Sequence, residues 1–208
     1  MDHSDIENIY CIGRNYKKHA LELGNEIPSE PVVFLKANSS LRGLDESDKL
    51  AFPQEVFHFE AEIVLLLGQD LSLGKKSDLS VLSGLALGVD LTRREKQTDL
   101  KKRGLPWTLS KSFQGSALLG TFYPLNHFPN PHEIEFSLHL DGKLKQKGNS
   151  KNMIFSLTEI INYINSFSAL KKGDLIFTGT PEGVGEITKG QQIHLEFLNL
   201  NIIEKGTL

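Results

Sequence analysis

A chain of 208 residues with 39% hydrophobic and 24% charged side chains can bury a sizeable core, which suits one domain and argues against general disorder. A formal charge of −3, with no basic block longer than DLKKRG, argues against a nucleic-acid partner gripped by counterion release. No apolar run reaches the ~18–20 residues of a membrane span, and the opening MDHSDIENIYCIG has no apolar signal-peptide core.

In chain order, NIYCIG reads as a short strand in which Cys11, the single cysteine, is a small core residue; one thiol forms no internal disulfide and fits a reducing cytoplasm. RNYKKHALELG is a helical turn or two closed by Gly24, followed by the loop NEIPSEP and the strand VVFLK. Residues 37–54 are polar and irregular. FHFEAEIVLLLG reads as one strand over 57–67. LALGVD closes an apolar segment at Asp90, and a polar, helical stretch then runs to Gly104. IEFSLHLDGKLKQ is a hairpin turning at Asp141-Gly142. SLTEIINYINSF is a helix with Ser156 and Glu159 as a capping box and Leu157, Ile160, Ile161 and Ile164 as its buried stripe. DLIFTGTPEGVG is a strand entering a Gly/Pro-rich loop, and QIHLEFLNLNIIEKG closes with antiparallel strands. Many short strands and few helices indicate an α+β, mostly-β fold. GTPEGVG matches neither a dinucleotide fingerprint nor a phosphate loop.

Three places carry chemistry. In FHFEAEIVLLLG, His58, Glu60 and Glu62 share one strand face that continues into Val64 and Leu66. Two buried carboxylates side by side repel unless one takes a proton or both hold a cation, and hard divalent ions prefer oxygen donors. The alternative is a wet outer face on an edge strand. Asp90 is a candidate third carboxylate, or equally an N-cap for the polar segment after it. His19 and Glu22, spaced i, i+3, would touch on a helix, and a carboxylate beside an imidazole makes a general base; a surface pair is the plainer alternative. Lys111, alone in PWTLSKSF, could steady an oxyanion or substrate carboxylate, or simply snorkel.

GRNYKKHALELG, PVVFLK, FEAEIVLLLG, GVDLTRREKQ, RGLPWTLSKSF and FTGTPEGVG occur in the order found in the fumarylacetoacetate hydrolase family, and the chain resembles its short, acylpyruvase-type members over essentially its whole length. The resemblance implies a mixed β-sandwich roll in one catalytic domain over 1–208, whose first ~35 residues include a mobile lid, and a homodimer. It implies a Mg2+ or Mn2+ site, which Ca2+ can fill in crystals, on Glu60, Glu62 and Asp90, and a water-activating dyad on His19 and Glu22. The family lysine falls on Lys111, with Arg14, Arg94, Gln97 and Thr180 at the substrate. Two departures stand out: Glu95 where relatives often carry aspartate, and Gln114 where many carry an acid.

The implied activity is metal-dependent carbon–carbon hydrolysis of a 2,4-dioxo acid of acylpyruvate or fumarylpyruvate type, releasing pyruvate. The same enolate chemistry leaves two alternatives open, oxaloacetate decarboxylation and isomerisation of a 2-hydroxyhepta-2,4-diene-1,7-dioate. A non-enzymatic alternative is an inactive metal-binding scaffold. The expected partner is a small dicarbonyl acid, with no nucleic acid or membrane, in the cytoplasm.

Overall fold

The computed structural model describes residues 6–22, 24, 26–44, 46 and 49–208. Leu23 and Asn25 of the expected lid, and the opening MDHSD, lie outside them.

A seven-stranded sheet forms the centre. Its β1 (Ile9–Gly13), β2 (Val32–Lys36), β3 (Leu41–Gly43), β5 (Ala61–Leu67), β6 (Leu82–Asp90), β7 (Ala117–Leu119) and β10 (Leu175–Phe177) lie in the order β2-β1-β10-β5-β6-β7-β3. β1 with β10 and β3 with β7 are parallel pairs, and the other neighbours are antiparallel. β8 (Glu135–Leu140), β9 (Lys143–Asn149), β12 (Gln192–Phe197) and β13 (Ile202–Thr207) form an antiparallel sheet in the order β13-β12-β8-β9. β4 (Phe57–Phe59) pairs with β11 (Gly185–Ile187) as a separate ribbon.

The expected single strand over 57–67 is thus two. Glu60 sits at the break, with β4 in the ribbon and β5 in the large sheet. Side-chain alternation nevertheless persists across it. Phe57, Phe59, Ala61, Ile63, Leu65 and Leu67 enter the main core with Leu138 and Leu195 of the four-stranded sheet, whereas Val64 and Leu66 enter a second core with Ile9, Cys11 and Phe177. A strand covered on both faces reads as an unbroken apolar run, which accounts for IVLLL. The second face becomes polar only at its Glu62–Glu60 end, where the site begins.

Residues 37–54, expected to be irregular, contain β3 on the sheet edge; three residues are too short to carry a period. The hairpin turn places Asp141 and Gly142 at φ 48° and 77°, both left-handed as a two-residue loop requires. α4 (Leu157–Phe167) has both halves of its capping box, and Leu157, Ile160, Ile161 and Ile164 are buried as the spacing predicts. Cys11 is buried in the second core, and burial raises its thiol well above the usual range.

Candidate active site

Four elements deliver the polar cluster. β5 and the break before it carry Glu62 and Glu60. The end of β6 carries Asp90, whose N–H donates to the Glu60 carbonyl at 2.8 Å and so fixes their register. A helical turn, α3 (Thr108–Lys111), brings Lys111 in from the far side. The loop after β10 supplies Gly179 and Thr180.

Glu60, Glu62 and Asp90 are 6%, 2% and 1% exposed, and each offers a carboxylate oxygen within 4.8 Å of the others. Lys111 Nζ donates to Glu60 Oε2 at 2.7 Å, Asp90 Oδ2 at 2.6 Å and Thr92 Oγ1 at 2.7 Å. An ammonium has three protons, so all of them are engaged. Lys111 is therefore a counter-charge that ties two of the carboxylates together, and contact with a substrate oxyanion would require it to release one partner. Burial alone would lower its pKa, but Asp90 and Glu60 outweigh this and hold it above the ordinary lysine value. Lys36, on β2, stands behind the cluster, 2.8 Å from Asp90 Oδ1 and donating to Ser116 Oγ at 2.9 Å. The contact to Oδ1 is off the hydrogen-bonding direction, and this buried oxygen has no hydrogen-bond partner among the described residues.

The two glutamates differ electrostatically. Burial would raise the Glu60 pKa, but Lys111, Arg94 and His19 outweigh it and hold the carboxylate below its ordinary range. Arg94 also makes a direct ion pair with it. Glu62 has no ion-pair partner among the described residues and accepts one hydrogen bond, from Gly179 N at 2.7 Å. Burial, with Asp90 and Glu60 adding to it, pushes its pKa well up. Gly179 has φ 97°, and a Cβ there would lie 2.7 Å from that of Asn15, so glycine is what lets this N–H reach the carboxylate. The three-carboxylate set fits a hard divalent cation: it is buried, all oxygen, and includes one acceptor without a hydrogen bond and one carboxylate without a counter-charge.

His19 is brought over the cluster by α1 (Lys17–Glu22). It is 5% exposed, and its Nδ1 lies 3.4 Å from Glu22 Oε2. Burial lowers its pKa, against the opposing influence of Glu60 and Glu22, so the neutral imidazole is favoured. Glu22 also accepts from Gly183 N at 3.1 Å, and Lys18 pairs with Glu182 at 3.3 Å, so the segment expected as a lid is docked on the loop after β10. Asn15 anchors its start by hydrogen bonds to Phe155 and Thr178.

Arg14, His19, Glu60, Glu62, Asp90, Arg94, Gln97, Lys111 and Thr180 all line one small cavity of about 30 Å³. Arg14 and Arg94 each bury an Nε without a hydrogen-bond partner among the described residues. Gln97 accepts from Arg94 Nη1 at 2.6 Å, and Thr180 Oγ1 accepts from Gln146 Nε2 at 2.8 Å. Glu22 acts from outside the cavity wall. His58 does not join the site: on β4 it lines a surface cleft instead. Asp90 is not an N-cap, since Arg93 holds that position for α2 (Arg94–Lys102).

Several residues of the site carry little signal in the sequence. Lys36 closes the strand VVFLK, where a terminal lysine is unremarked. Gln146, buried on β9, accepts from Ala61 N at 2.9 Å and donates to Thr180 and Pro181, joining the strand break to the loop after β10. Lys101 also lines the cavity. It belongs to DLKKRG, the longest basic block, yet its i, i+3, i+7 spacing with Arg94 and Gln97 puts all three on one face of α2. Phe34 and Trp107 complete that wall.

The sequence matches the fumarylacetoacetate hydrolase C-terminal family over residues 8–207. The chain belongs to the fumarylacetoacetate hydrolase family. Among curated relatives, it is 42% identical to a mitochondrial oxaloacetate decarboxylase of Dictyostelium discoideum, covering 89% of this chain and 86% of that one. It is 37% identical to a mitochondrial oxaloacetate tautomerase of Bos taurus, over 90% of this chain and 85% of that one. Among solved structures, a fumarylpyruvate hydrolase from Pseudomonas aeruginosa, in complex with Mn2+ and pyruvate, superposes with a TM-score of 0.87 at 32% identity, over 97% of this chain and 89% of that one. This family's fold is thus the mostly-β roll that the motifs imply.

Proposed function

We propose that this family member is a metal-dependent enzyme acting on a compact 2-oxo dicarboxylic acid, with oxaloacetate as substrate and its keto–enol tautomerisation as the reaction. The observation that carries this reading is the crowd of cations on the cavity wall. Lys101 has its pKa lowered by partial burial and by Arg14, Arg94 and Lys111, so these cations repel one another. Arg14 and Arg94 also bring buried donors with no partner. Such a wall is stabilised by an anion, while the carboxylate triad is stabilised by a cation. A substrate with a carboxylate at each end answers both. The curated oxaloacetate tautomerase and decarboxylase relatives support the same choice.

Glu60, Glu62 and Asp90 would hold Mg2+ or Mn2+, which supplies positive charge to a chelated 2-oxo acid and so favours its enolate form. The chain's own groups do the rest. Arg14 and Lys101 hold the distal carboxylate and fix which C3 proton faces His19. The neutral imidazole, oriented by Glu22, takes that proton and returns one to the 2-oxo oxygen, so tautomerisation leaves the protein unchanged. Loss of the distal carboxylate as carbon dioxide uses the same electron sink, and decarboxylation is the expected companion activity. The cavity of about 30 Å³ is too small for oxaloacetate while α1 is docked, so α1 would lift to admit substrate and redock to exclude water during proton transfer.

Hydrolysis of an acylpyruvate or fumarylpyruvate is the second reading. It is favoured by the His19–Glu22 dyad, which would equally activate water, and by the likeness to the Pseudomonas fumarylpyruvate hydrolase. Following the ultraviolet absorbance of the enol as it converts to ketone, with saturating Mg2+, tests the first reading. Acceleration over buffer that is lost in Arg14→Ala supports it; conversion at the buffer rate, beside rapid cleavage of fumarylpyruvate, would replace it with the second.

A further inference from the structure

The small polar cavity does not stand alone. On its outer side lies an open apolar groove of about 810 Å³, between the edge strand β2, the loop before α3 and the end of α4, with Leu35, Leu105 and Phe167 exposed along it. Among the described residues, only Phe34 and Trp107 belong to the walls of both spaces. Their rings meet edge to face, with centroids 5.8 Å apart at 61°. Each ring turns a face to a cation on the inner side: Lys111 Nζ is 5.3 Å from the Phe34 centroid and Lys101 Nζ is 5.1 Å from that of Trp107. Trp107 seats against β1 at Gly13, where a Cβ would come within 3.5 Å of the indole.

We infer that the Phe34–Trp107 pair is the partition that sets substrate length, confining the site to compact 2-oxo acids, and that the groove behind it is a latent subsite for an apolar acyl tail. This rests on the reading of the site as one for 2-oxo acids. Opened at Phe34, the cavity joins a groove that buries methylene groups, and each one buried tightens binding by roughly three- to fourfold.

Trp107 is the single tryptophan, so its fluorescence reports on the partition directly and needs no turnover. The experiment titrates wild type and Phe34→Ala, at saturating Mg2+, with straight-chain 2-oxo acids from 2-oxobutanoate to 2-oxooctanoate. Wild type should bind the shortest acid best and lose affinity with length. Phe34→Ala should reverse the trend, gaining roughly three- to fourfold per methylene over the first three. Adding Leu35→Glu, which sets a charge in the groove, should remove that gain while leaving 2-oxobutanoate binding as in Phe34→Ala. Circular dichroism establishes that the variants fold, and Phe34→Leu, a smaller truncation, should give an intermediate trend if the alanine variant does not. A length dependence equal to wild type in a folded variant that still binds 2-oxobutanoate would overturn the partition alone. Tight binding of 2-oxooctanoate by wild type would also overturn it. No response of either protein to any of these acids or to oxaloacetate would bring down the functional reading and this inference with it.

Discussion

Glu60 and Glu62 are chemically identical, two positions apart, and buried to a similar degree, yet their proton affinities are driven in opposite directions. The difference lies in what surrounds them. Glu60 has Lys111 and Arg94 on its two oxygens, and Glu62 has one backbone N–H. Glu62→Gln should therefore preserve folding better than Glu60→Gln, which takes an ion-pair partner from buried Lys111 and partly buried Arg94; thermal melts of both variants without added metal check the order. His19 offers a sharper test. Replacing it by alanine should cost on the order of 10²–10⁴ in kcat for a lost general base. Because burial lowers its pKa, the neutral base persists to more acidic solution than a free imidazole would allow. Activity should thus be full above the ordinary histidine value near 6.5 and fall only as pH drops through the lowered one. A kcat/KM profile with its acid limb above about 6.5 would contradict the assignment. At this scale the carboxylates and Lys111 stood out because burying an ionisable group is costly, so a charge set in an apolar run is conspicuous. His19 and Glu22, in a charged segment, were set apart from a surface pair only by the family resemblance. Lys101 and Lys36 did not stand out, since one hid in a charged run and the other at the end of a strand, where lysine is ordinary.

At the scale of elements, local chemistry was legible wherever a motif closes on itself. The Asp141-Gly142 turn and the Ser156–Glu159 capping box depend only on neighbours in sequence, and both form where the sequence places them. Ser156→Ala should cost about 1 kcal/mol in denaturant unfolding with kcat/KM unchanged, because no residue of α4 lines the cavity. The break at Glu60 was not legible: both halves alternate in phase, so the pattern carries no mark of the change of sheet. What holds the break is tertiary. Gln146 accepts from Ala61 N across 85 residues of sequence and donates to Thr180 on the loop. Gln146→Leu should therefore lower kcat as well as the melting temperature, since it frees both the Glu60 backbone and the loop that meets Glu62. A variant that loses stability alone would show Gln146 to be scaffolding only.

For the whole molecule, the class of fold followed from many short strands and few helices, but the order of strands did not, because pairing partners far apart in sequence leave no local trace. The metal site gives the molecular prediction. A divalent cation at ~100-fold above its dissociation constant should stabilise the folded chain by about 2.7 kcal/mol, a rise of several degrees in Tm. Asp90→Asn should shrink that metal-induced increment, whatever it does to the melt without metal; a full increment in the variant would remove Asp90 from the ligand set. The parallel pairing of β1 with β10 has a consequence during synthesis. Cys11 is paired with Phe177, and β1 lies between β2 and β10 in the finished sheet. At about 5–20 residues per second, a ribosome takes on the order of ten to thirty seconds to make the strand that β1 awaits. Until then the nascent β1–β2 pair leaves the β1 edge unpaired and its apolar side chains uncovered, and this is the stage at which a chaperone would find the chain and at which aggregation would begin.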